Sequence, residues 1–502
     1  MTFRPLRPCT IVASLLIAAG TAAAGDGFPP GSAADNNLRE STADPAPTIV
    51  LSPCTLPDVA QAARCGVLVV PENPDRPDGR QLSIGVAVVP ASGGQALSDP
   101  IVPLMGGPGE DAISAAALYA DQFASLHRDR DLLLVDQRGT GRSGALRCGL
   151  HSAGEPAPNL RDFFPPAAVT RCERRLRTRA DLTQYTYAHF ASDLERVRKA
   201  LGYGRLNLFA GSYGTRAAQV YLRAYPNSVR TAYLGSVVPI DVVTPLVMAK
   251  TAQEALEDTF SACAADSACR AAFPDLRDEF ARILARLDAG EVRAILPGRT
   301  GTVPMQRGRV VEWFRSLLYR PKSAARLPWL IHQAHEGDWS PIVEGILSQA
   351  QGMDSAISLG LFFSITCAED MAFLDEKDIV AQSRDTALGD YRVRQQQVAC
   401  KPWPKASLPA EYRTPVRSSV PVMFVSGDID GGSPLWFTDR VAKGFSDRVQ
   451  VVQGGRGHTQ WTECVGQLYE RFVRTGATRG LDGSSCKAMP RPPFETRRGN
   501  GP

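Results

Sequence analysis

Alternating apolar and polar residues near the start of the patterned region predict a β-hairpin. Two runs rich in Val, Leu and Ile lie within residues 65–90 and flank a Pro-Asp-Gly turn at residues 77–79. Branched apolar runs separated by turn-forming residues are typical of paired strands. Residues 101–104 and 131–135 are continuous apolar runs, which are typical of strands covered on both faces. The first third of the chain therefore predicts several strands of one sheet.

Predicted helices alternate with predicted strands, and strand-like runs return near the end of the chain. The helices are predicted at residues 112–123 and 190–201, and the further strands at residues 206–211, 231–238, 420–425 and 448–452. This order predicts an α/β fold with a mostly parallel sheet flanked by helices. Ligand sites in such sheets lie at the carboxyl ends of the strands.

The segment between the two halves of the predicted sheet has a different character. Residues 239–414 are predicted to be helical, with apolar residues at helical spacing in places such as Phe280, Ile283 and Leu287. We interpret this segment as a helical cap inserted late in the sheet, and a further helical layer on the same domain is the alternative. The expected organisation is a signal peptide (1–24), a flexible lead-in (25–47), a first segment of the catalytic core (48–238), the helical cap (239–414), a second segment of the catalytic core (415–486) and a polar tail (487–502).

The N-terminus predicts export. Arg4 and Arg7 precede an apolar run, and small residues offer a cleavage site near Ala24. The run is too short for a stable membrane span, although an N-terminal helix of the folded protein is the alternative interpretation. A formal net charge of +4 over 502 residues gives no indication of a nucleic-acid partner. We expect a secreted or periplasmic protein.

The cysteine content fits an oxidising compartment. Ten of the 11 cysteines lie beyond residue 24, and an even number in an exported chain favours disulfides. No Cys-x-x-Cys pair suggests zinc, and we expect no metal and no organic cofactor. Spacing does not determine connectivity, but the simplest arrangement joins neighbours: Cys54 to Cys65, Cys148 to Cys172, Cys263 to Cys269, Cys367 to Cys400 and Cys464 to Cys486.

Ser212 is the candidate nucleophile. It lies between the predicted strand at residues 206–211 and a following helix, and its small neighbours Ala210 and Gly214 would let strand and helix cross closely. This is the order that exposes a serine hydroxyl above a sheet. A serine that simply caps the helix has the same local sequence, so the other residues of the site must decide.

A serine nucleophile needs a base and a group that orients the base. Among the six histidines only His458 follows the loop that carries Asp428 and Asp430. We therefore expect His458 to be the base and prefer Asp430 as its partner, although either aspartate also fits turn capping. Serine, acid and histidine, each after a strand, are in the order found in α/β-hydrolases.

Backbone N–H groups are the expected donors to the oxyanion. Tyr213 directly follows the candidate nucleophile, and the glycine-rich loop at residues 105–109 allows close approach of the backbone to a substrate oxygen. We expect Tyr213 and Gly107 to supply these donors. A tight turn without a catalytic role is the alternative for the glycine-rich loop.

Together these motifs resemble those of α/β-hydrolase peptidases of the prolyl iminopeptidase and tripeptidyl aminopeptidase type. The motifs are Gly-Gly-Pro-Gly at 106–109, Asp-Gln-Arg-Gly-Thr-Gly-Arg-Ser at 136–143, Gly-Ser-Tyr-Gly-Thr at 211–215, Ile-Thr-Cys-Ala-Glu-Asp at 365–370, the Asp430 loop and Gly-His at 457–458. The resemblance covers most of residues 50–470 and implies Ser212, Asp430 and His458 as the triad. It departs from the family pattern at Ala210, which replaces a glycine, and at Met105, where relatives often carry His or Asn.

The resemblance also implies acidic residues that bind the free α-amine of the substrate. Glu369 occupies the position of the family's acid in the cap region, and Asp370 lies beside it. Charge-assisted hydrogen bonds from an ammonium to a carboxylate would fix the end of a peptide. A helix cap or a salt bridge near Cys367 is the alternative role of these two acids.

The sequence therefore predicts an exported serine aminopeptidase that releases N-terminal residues or short peptides through an acyl-enzyme. A carboxylesterase acting on small esters, or a non-catalytic binding protein on a hydrolase scaffold, are the alternatives. The sequence leaves open the residue preference, the release of one residue or of tripeptides, and the oligomeric state.

Overall fold

A nine-stranded sheet forms the centre of the fold. The computed structural model describes residues 48–151, 156–296, 298, 300–459, 461–486 and 488–497. The predicted signal peptide and lead-in lie outside the described residues. The strands of the large sheet are β1 (Ser52–Cys54), β2 (Ala63–Pro71), β3 (Gln81–Val89), β4 (Leu97–Leu104), β5 (Arg130–Val135), β6 (Leu206–Gly211), β7 (Val229–Gly235), β10 (Val422–Gly427) and β11 (Arg448–Gln453), and β8 (Arg293–Ile295) and β9 (Thr302–Pro304) form a separate hairpin.

The strand order of the large sheet is β1-β2-β3-β5-β4-β6-β7-β10-β11. Strands β1 to β3 pair antiparallel, as does β3 with β5, and the remaining pairs are parallel. The predicted mostly parallel α/β sheet is confirmed. The chain leaves β4 to form β5 on one side and β6 on the other, so the loops that follow β4 and β6 flank a crevice at the carboxyl edge, where such sheets bind ligands.

Helices cover both faces of the sheet and build the layer above its carboxyl edge. They are α1 (Ala116–Gln122), α2 (Pro166–Arg177), α3 (Tyr187–Ala200), α4 (Gly214–Ala224), α5 (Thr244–Ala265), α6 (Ser267–Ala272), α7 (Leu276–Asp288), α8 (Arg307–Leu317), α9 (Pro321–Ala324), α10 (Leu327–His335), α11 (Ser340–Ala356), α12 (Leu359–Ile365), α13 (Glu376–Ser383), α14 (Tyr391–Cys400), α15 (Leu435–Ala442) and α16 (Glu463–Thr475). A π-helical turn, Thr366–Asp370, extends α12.

The alternating side chains of β3 separate two apolar cores. Val86 and Val88 lie in the core that also contains side chains of α3, α4, α12 and α14, whereas Ala87 and Val89 lie in the core on the other face, with side chains of α1 and α16. Alternation along a strand sends successive side chains to opposite faces, which explains this division. The sheet is thus covered on both faces.

A third apolar core lies within the segment predicted to be a helical cap. It joins α5, α7, α8, α10 and α11 and includes the predicted amphipathic helix, which is α7. The segment also contains the β8–β9 hairpin, which the sequence analysis did not predict because each of its strands has only three residues. Side chains of α12 and α14, from the same segment, pack instead into the core on the sheet. The segment predicted to be a cap is therefore joined to the sheet by two of its own helices.

The five predicted disulfides are all present. Their Cα–Cα distances lie between 5.2 and 5.8 Å, which is the ordinary range for a disulfide. Cys367–Cys400 links the π-helical turn to the end of α14, and Cys263–Cys269 links α5 to α6. The predicted pairing of neighbours is confirmed.

The stretch of the predicted polar tail that the structure describes, residues 488–497, contacts the cap. Arg491 forms an ion pair with Asp258 of α5, and the N–H of Glu495 donates to the carbonyl of Ala325 at 3.0 Å. In the described ranges no single helix has the length and apolar character to cross a membrane, and one bent pair, Ser340–Ala356 with Leu359–Phe373, has both when taken together.

Gly214 provides a test of the close crossing between β4 and α4. A Cβ at Gly214 would lie 2.1 Å from the carbonyl oxygen of Leu104, so Gly214→Ala must push the helix away from the strand. We expect a loss of about 3 kcal/mol in the free energy of unfolding, measured by urea denaturation. Gly352→Ala is the control, because it lies in α11 with open space around it and should gain about 0.5–1 kcal/mol. Equal effects of the two substitutions would contradict the close crossing.

Candidate active site

A cavity of about 800 Å³ opens at the carboxyl edge of the sheet. Its sheet-side wall comes from the loops after β4, β6 and β11, which contribute Gly107, Ser212 and His458. Its cap-side wall includes Arg315, Tyr319 and Arg392. The cavity therefore lies between the sheet and the helices that were predicted to form a cap.

Ser212 lies at the apex of a strained turn. Strand β6 ends at Gly211 and helix α4 begins at Gly214, and Ser212 has a φ of +54°. A residue other than glycine in this left-handed region costs about 1–3 kcal/mol and is often found at functional sites. The N–H of Ser212 donates to the carbonyl of Gly235 at 3.0 Å, and the hydroxyl of Thr215 donates to the carbonyl of Ser212 at 2.6 Å. These bonds hold the strained backbone on both sides of the turn.

Asp430 and His458 form a hydrogen-bonded pair beside this turn. The Nδ1 atom of His458 lies 2.9 Å from Oδ2 and 3.0 Å from Oδ1 of Asp430. Asp430 is buried, and burial alone would raise its pKa. The charge of His458 and hydrogen bonds from His458, Ser433 and the N–H of Gly432 outweigh burial, so the pKa of Asp430 lies below its usual value. Asp428 instead accepts the N–H of Gly455.

Two serines that the sequence analysis did not assign complete the shell of Asp430. The hydroxyls of Ser236 and Ser433 donate to Oδ2 of Asp430 at 2.8 and 2.6 Å. Ser236 also accepts the N–H of Thr459 at 2.8 Å, which joins the end of β7 to the histidine loop. Both Ser236 and Thr459 have positive φ angles. The sequence analysis placed Ser236 inside the strand predicted at residues 231–238, whereas β7 ends at Gly235, so Ser236 lies at the edge of the sheet where Ser212 and Asp430 also lie.

The cap contacts the histidine directly. The ring of Tyr319 stacks on the ring of His458 with 4.9 Å between centroids, and the N–H of His458 donates to the carbonyl of Tyr319 at 2.8 Å. Arg315 donates to the hydroxyl of Tyr319 at 2.6 Å and so holds that ring from the cap side. Tyr319 therefore limits the orientations open to the imidazole.

The glycine-rich loop brings an acid into the same cavity. Gly107 and Tyr213, the two expected oxyanion donors, both line the cavity, and so does Glu110. The position that a Cβ would take on Gly106 lies 3.3 Å from Cβ of Ser212 and 3.5 Å from Oε2 of Glu110. Burial raises the pKa of Glu110 and Asp111 adds to this, while the N–H of Gly106, His458 and Arg320 act in the opposite direction. Sequence reasoning did not assign Glu110, although it directly follows the glycine motif.

Glu369 and Asp370 are not among the residues that line the cavity. Both are buried in the π-helical turn and bind internal partners. Asp370 forms a salt bridge with Arg216 at 2.9 Å and accepts the N–H of Thr244 at 2.9 Å. Glu369 accepts the N–H of Tyr187 at 2.9 Å and the hydroxyl of Tyr412. The salt bridge of Asp370 agrees with the alternative that the sequence left open near Cys367, whereas Glu369 forms no salt bridge among the described residues.

Two family models match the chain. One, described as the alpha/beta hydrolase fold, matches residues 99–291, and the other, described as TAP-like protein, matches residues 385–486. The first includes Ser212, and the second includes Asp430 and His458. The chain has the α/β-hydrolase fold. No group of three or more His, Cys, Asp or Glu side chains suited to a metal ion occurs within the described residues.

The names of the curated relatives of this chain include several activities. Serine protease Hip1 of Mycobacterium tuberculosis is 30% identical over 227 residues, which are 41% of this chain and 42% of that protein. Tripeptidyl aminopeptidase of Streptomyces lividans is 23% identical over 463 residues, which cover 86% of this chain and 85% of the relative. Carboxylesterase B of M. tuberculosis is 31% identical over 43% of each chain. The chain thus aligns with less than half of the length of Hip1.

Ser236→Ala tests whether the serine hydroxyls that bond to Asp430 orient the candidate active site. The substitution removes a donor to the carboxylate and leaves the N–H of Thr459 without its acceptor. A lost hydrogen bond to a charged group costs about 1.5–3 kcal/mol, so we expect Ser212 to react about 10- to 100-fold more slowly with a fluorophosphonate probe. Ser426→Ala is the control, because the Ser426 hydroxyl is equally buried but bonds to Thr438. Equal slowing in both variants would contradict the orienting role.

Glu369→Gln tests the structural role of this acid through the pH dependence of stability. Burial raises the pKa of Glu369 from 4.5 to about 7, despite the hydrogen bonds from Tyr412 and Tyr187. Between these two pH values the unfolded state releases a proton that the folded state keeps, so stability falls as pH rises and stays lower above pH 7. We expect a loss of about 3 kcal/mol between pH 4.5 and 8 in the wild type, and a smaller loss in the variant.

Urea unfolding at a series of pH values measures this difference. Glu344→Gln is the control, because Glu344 is exposed on α11 and should leave the slope unchanged. An identical pH slope in wild type and Glu369→Gln would rule out a buried acid with a raised pKa at this position.

Proposed function

We propose that this chain is an exported serine aminopeptidase that releases residues or short peptides from free N-termini through an acyl-enzyme. The observation that carries the proposal is the Asp430–His458 pair, whose histidine lines the same cavity as the strained Ser212. In this proposal Ser212 is the nucleophile, His458 the base and Asp430 the group that orients the base. The tripeptidyl aminopeptidase and Hip1 relatives support a peptidase activity.

The hydrogen bonds of Asp430 support this division of roles. An ionised carboxylate only accepts hydrogen bonds, so Nδ1 of His458 carries the proton that lies between the two residues. The Nε2 atom of the neutral imidazole is then left to accept a proton from the Ser212 hydroxyl. After attack on the substrate carbonyl, the same nitrogen gives the proton to the leaving amine. The low pKa of Asp430 keeps it charged beside the imidazolium.

The N–H groups of Tyr213 and Gly107 are the proposed donors to the oxyanion. Both residues line the cavity next to Ser212. Gly107 has a φ of +104°, a conformation that favours glycine. Donors that are fixed before the reaction stabilise the charge of a tetrahedral intermediate without reorganisation.

We propose that Glu110 binds the free α-amine of the substrate. The two acids expected from the sequence, Glu369 and Asp370, do not line the cavity and bind internal partners instead. The carboxylate of Glu110 lies beside Gly106 and forms no salt bridge among the described residues. Oε2 of Glu110 and Cβ of Ser212 lie 3.5 and 3.3 Å from the position that a Cβ would take on Gly106, so the two side chains approach the same point. The α-amine of a substrate's first residue lies next to the scissile carbonyl, whereas that of a tripeptidyl group lies about 7 Å further along an extended chain. This placement favours release of a single residue.

Export is the remaining element of the proposal. The five disulfides support an oxidising compartment, secreted or periplasmic. A carboxylesterase is the second candidate function, because Carboxylesterase B is among the relatives and the same triad chemistry cleaves esters.

Free and N-blocked substrates test the proposed function. We expect the purified protein to hydrolyse free aminoacyl anilides at least ~10-fold faster than their N-acetyl analogues, because the blocked amine loses a charge-assisted hydrogen bond. Glu110→Gln should bring this ratio close to one. Asp111→Asn is the matched control and should keep the ratio, because Asp111 also lines the cavity but its carboxylate accepts the N–H of Ser114. Ser212→Ala should remove all turnover.

The outcomes separate the candidate functions. Equal rates on free and blocked anilides would remove the aminopeptidase, and turnover of p-nitrophenyl esters alone would favour the esterase. Faster turnover of tripeptidyl anilides than of aminoacyl anilides would contradict the role of Glu110 in single-residue release.

A further inference from the structure

Two buried arginines share one acid in the cap-side wall of the cavity. Arg315 of α8 and Arg392 of α14 both line the cavity, and both are about nine-tenths or more buried. Glu312 lies between them and is fully buried. Burial alone would raise the pKa of Glu312, but the charge and hydrogen bonds of Arg315 and the charge of Arg392 lower it. The cluster Arg315–Glu312–Arg392 therefore carries one positive charge in excess.

Arg315 uses most of its donors within the cluster. Its Nε and Nη2 atoms donate to the two carboxylate oxygens of Glu312 at 2.9 and 2.7 Å. Its Nη1 atom donates to the hydroxyl of Tyr319. This is a bidentate pair, the strong geometry for guanidinium and carboxylate. Arg315 and Glu312 therefore satisfy each other.

Arg392 is held in place but is poorly paired. Its guanidinium lies 4.9 Å from the ring centroid of Phe163 and 5.0 Å from that of Phe164. One donor, Nη1, bonds to Gln396 at 3.0 Å. Its Nε atom is buried without a hydrogen-bond partner among the described residues and lies 3.6 Å from Glu312. Two aromatic rings thus fix a cation whose hydrogen-bonding capacity is only partly used.

We propose that Arg392 binds a carboxylate of the substrate, on a support formed by the Glu312–Arg315 pair. A carboxylate would balance the excess charge of the cluster and accept from donors that the protein leaves unused. Burial lowers the pKa of Arg392, which agrees with a cation that lacks a full counter-charge. The proposal rests on the proposed function only in taking a peptide as the substrate.

The carboxylate has two sources in a peptide. It is either the side chain of an acidic residue in the acyl portion or the C-terminal carboxylate of a short leaving peptide. Glutamyl and glutaminyl p-nitroanilides test the first source, because these substrates have no C-terminal carboxylate. Alanyl-alanyl-alanine and its C-terminal amide test the second source.

A bracing role is the competing explanation, because the cluster also ties α8 to α14. Arg309 provides the matched control for this role. It is fully buried, lies 5.4 Å from the ring of the same Phe163 and donates to Asn159 and Gln349, but it does not line the cavity. A brace predicts similar consequences for Arg309→Gln and Arg392→Gln, whereas a binding site predicts a change in selectivity for Arg392→Gln alone.

The experiment compares kcat/KM for each matched pair of substrates in wild type, Arg392→Gln and Arg309→Gln. We expect the wild type to prefer the carboxylate member of one pair by about 10-fold or more, and Arg392→Gln to lose that preference. Arg309→Gln should lower thermal stability and keep the preference. If Arg392→Gln does not fold, Arg392→Lys should fold and reduce the preference, because a lysine keeps the charge but lacks the guanidinium fork.

A pair of esters separates failure of this proposal from failure of the peptidase function. Mono-p-nitrophenyl glutarate and p-nitrophenyl valerate differ in a terminal carboxylate and need no peptidase activity. No preference for the carboxylate in either peptide pair or in the ester pair would overturn the proposal, and so would equal loss of preference in Arg309→Gln and Arg392→Gln. A preference in the ester pair without peptide turnover would support Arg392 and reject the aminopeptidase.

Discussion

The buried carboxylate of Asp430 is the constraint on which the arrangement of the site depends. It accepts hydrogen bonds from His458, Ser236 and Ser433, which come from three different loops at the carboxyl edge of the sheet. A buried charge is costly unless it is fully hydrogen-bonded, so these loops are held together by the need to satisfy one side chain. Ser236 extends the same network to the backbone of Thr459. The position of the imidazole therefore depends on the hydrogen bonds that the buried carboxylate of Asp430 requires.

A buried ion pair connects the segment between β7 and β10 to helix α4. Arg216 of α4 reaches Asp370 in the π-helical turn and the backbone near Val242. This pair places the start of the inserted segment, α4 and the turn around one guanidinium. Breaking a buried pair leaves an uncompensated charge, which is why such a pair specifies a unique arrangement even when it adds little net stability. Asp370 thus pairs with α4, and neither Glu369 nor Asp370 lines the cavity.

The elements of the sheet were predictable because each depends on local sequence. Continuous apolar runs such as those of β4 and β10 carry their burial in the sequence itself, and the disulfides join cysteines that are near neighbours in the chain. The candidate triad was also accessible, because residue type and order along the chain select His458 once a serine and an acid loop are given. Ser236, Glu110 and Arg392 were not, since their relevance comes from lateral proximity across separate elements. The pattern of apolar and polar residues along the chain does not indicate which separate elements lie side by side.

The stacking of Tyr319 on His458 connects the segment predicted to be a cap with the candidate triad. Tyr319 follows α8, the helix that carries Arg315 and Glu312, and its carbonyl accepts the N–H of His458. A shift of α8 would move the stacked ring, the carbonyl and the arginine together, because the Arg315–Glu312 pair and the Arg315–Tyr319 bond make them one unit. A ligand held at Arg392 would contact the same unit through Glu312. The arginine proposed to hold a substrate carboxylate therefore contacts the same packed unit as the ring that stacks on His458.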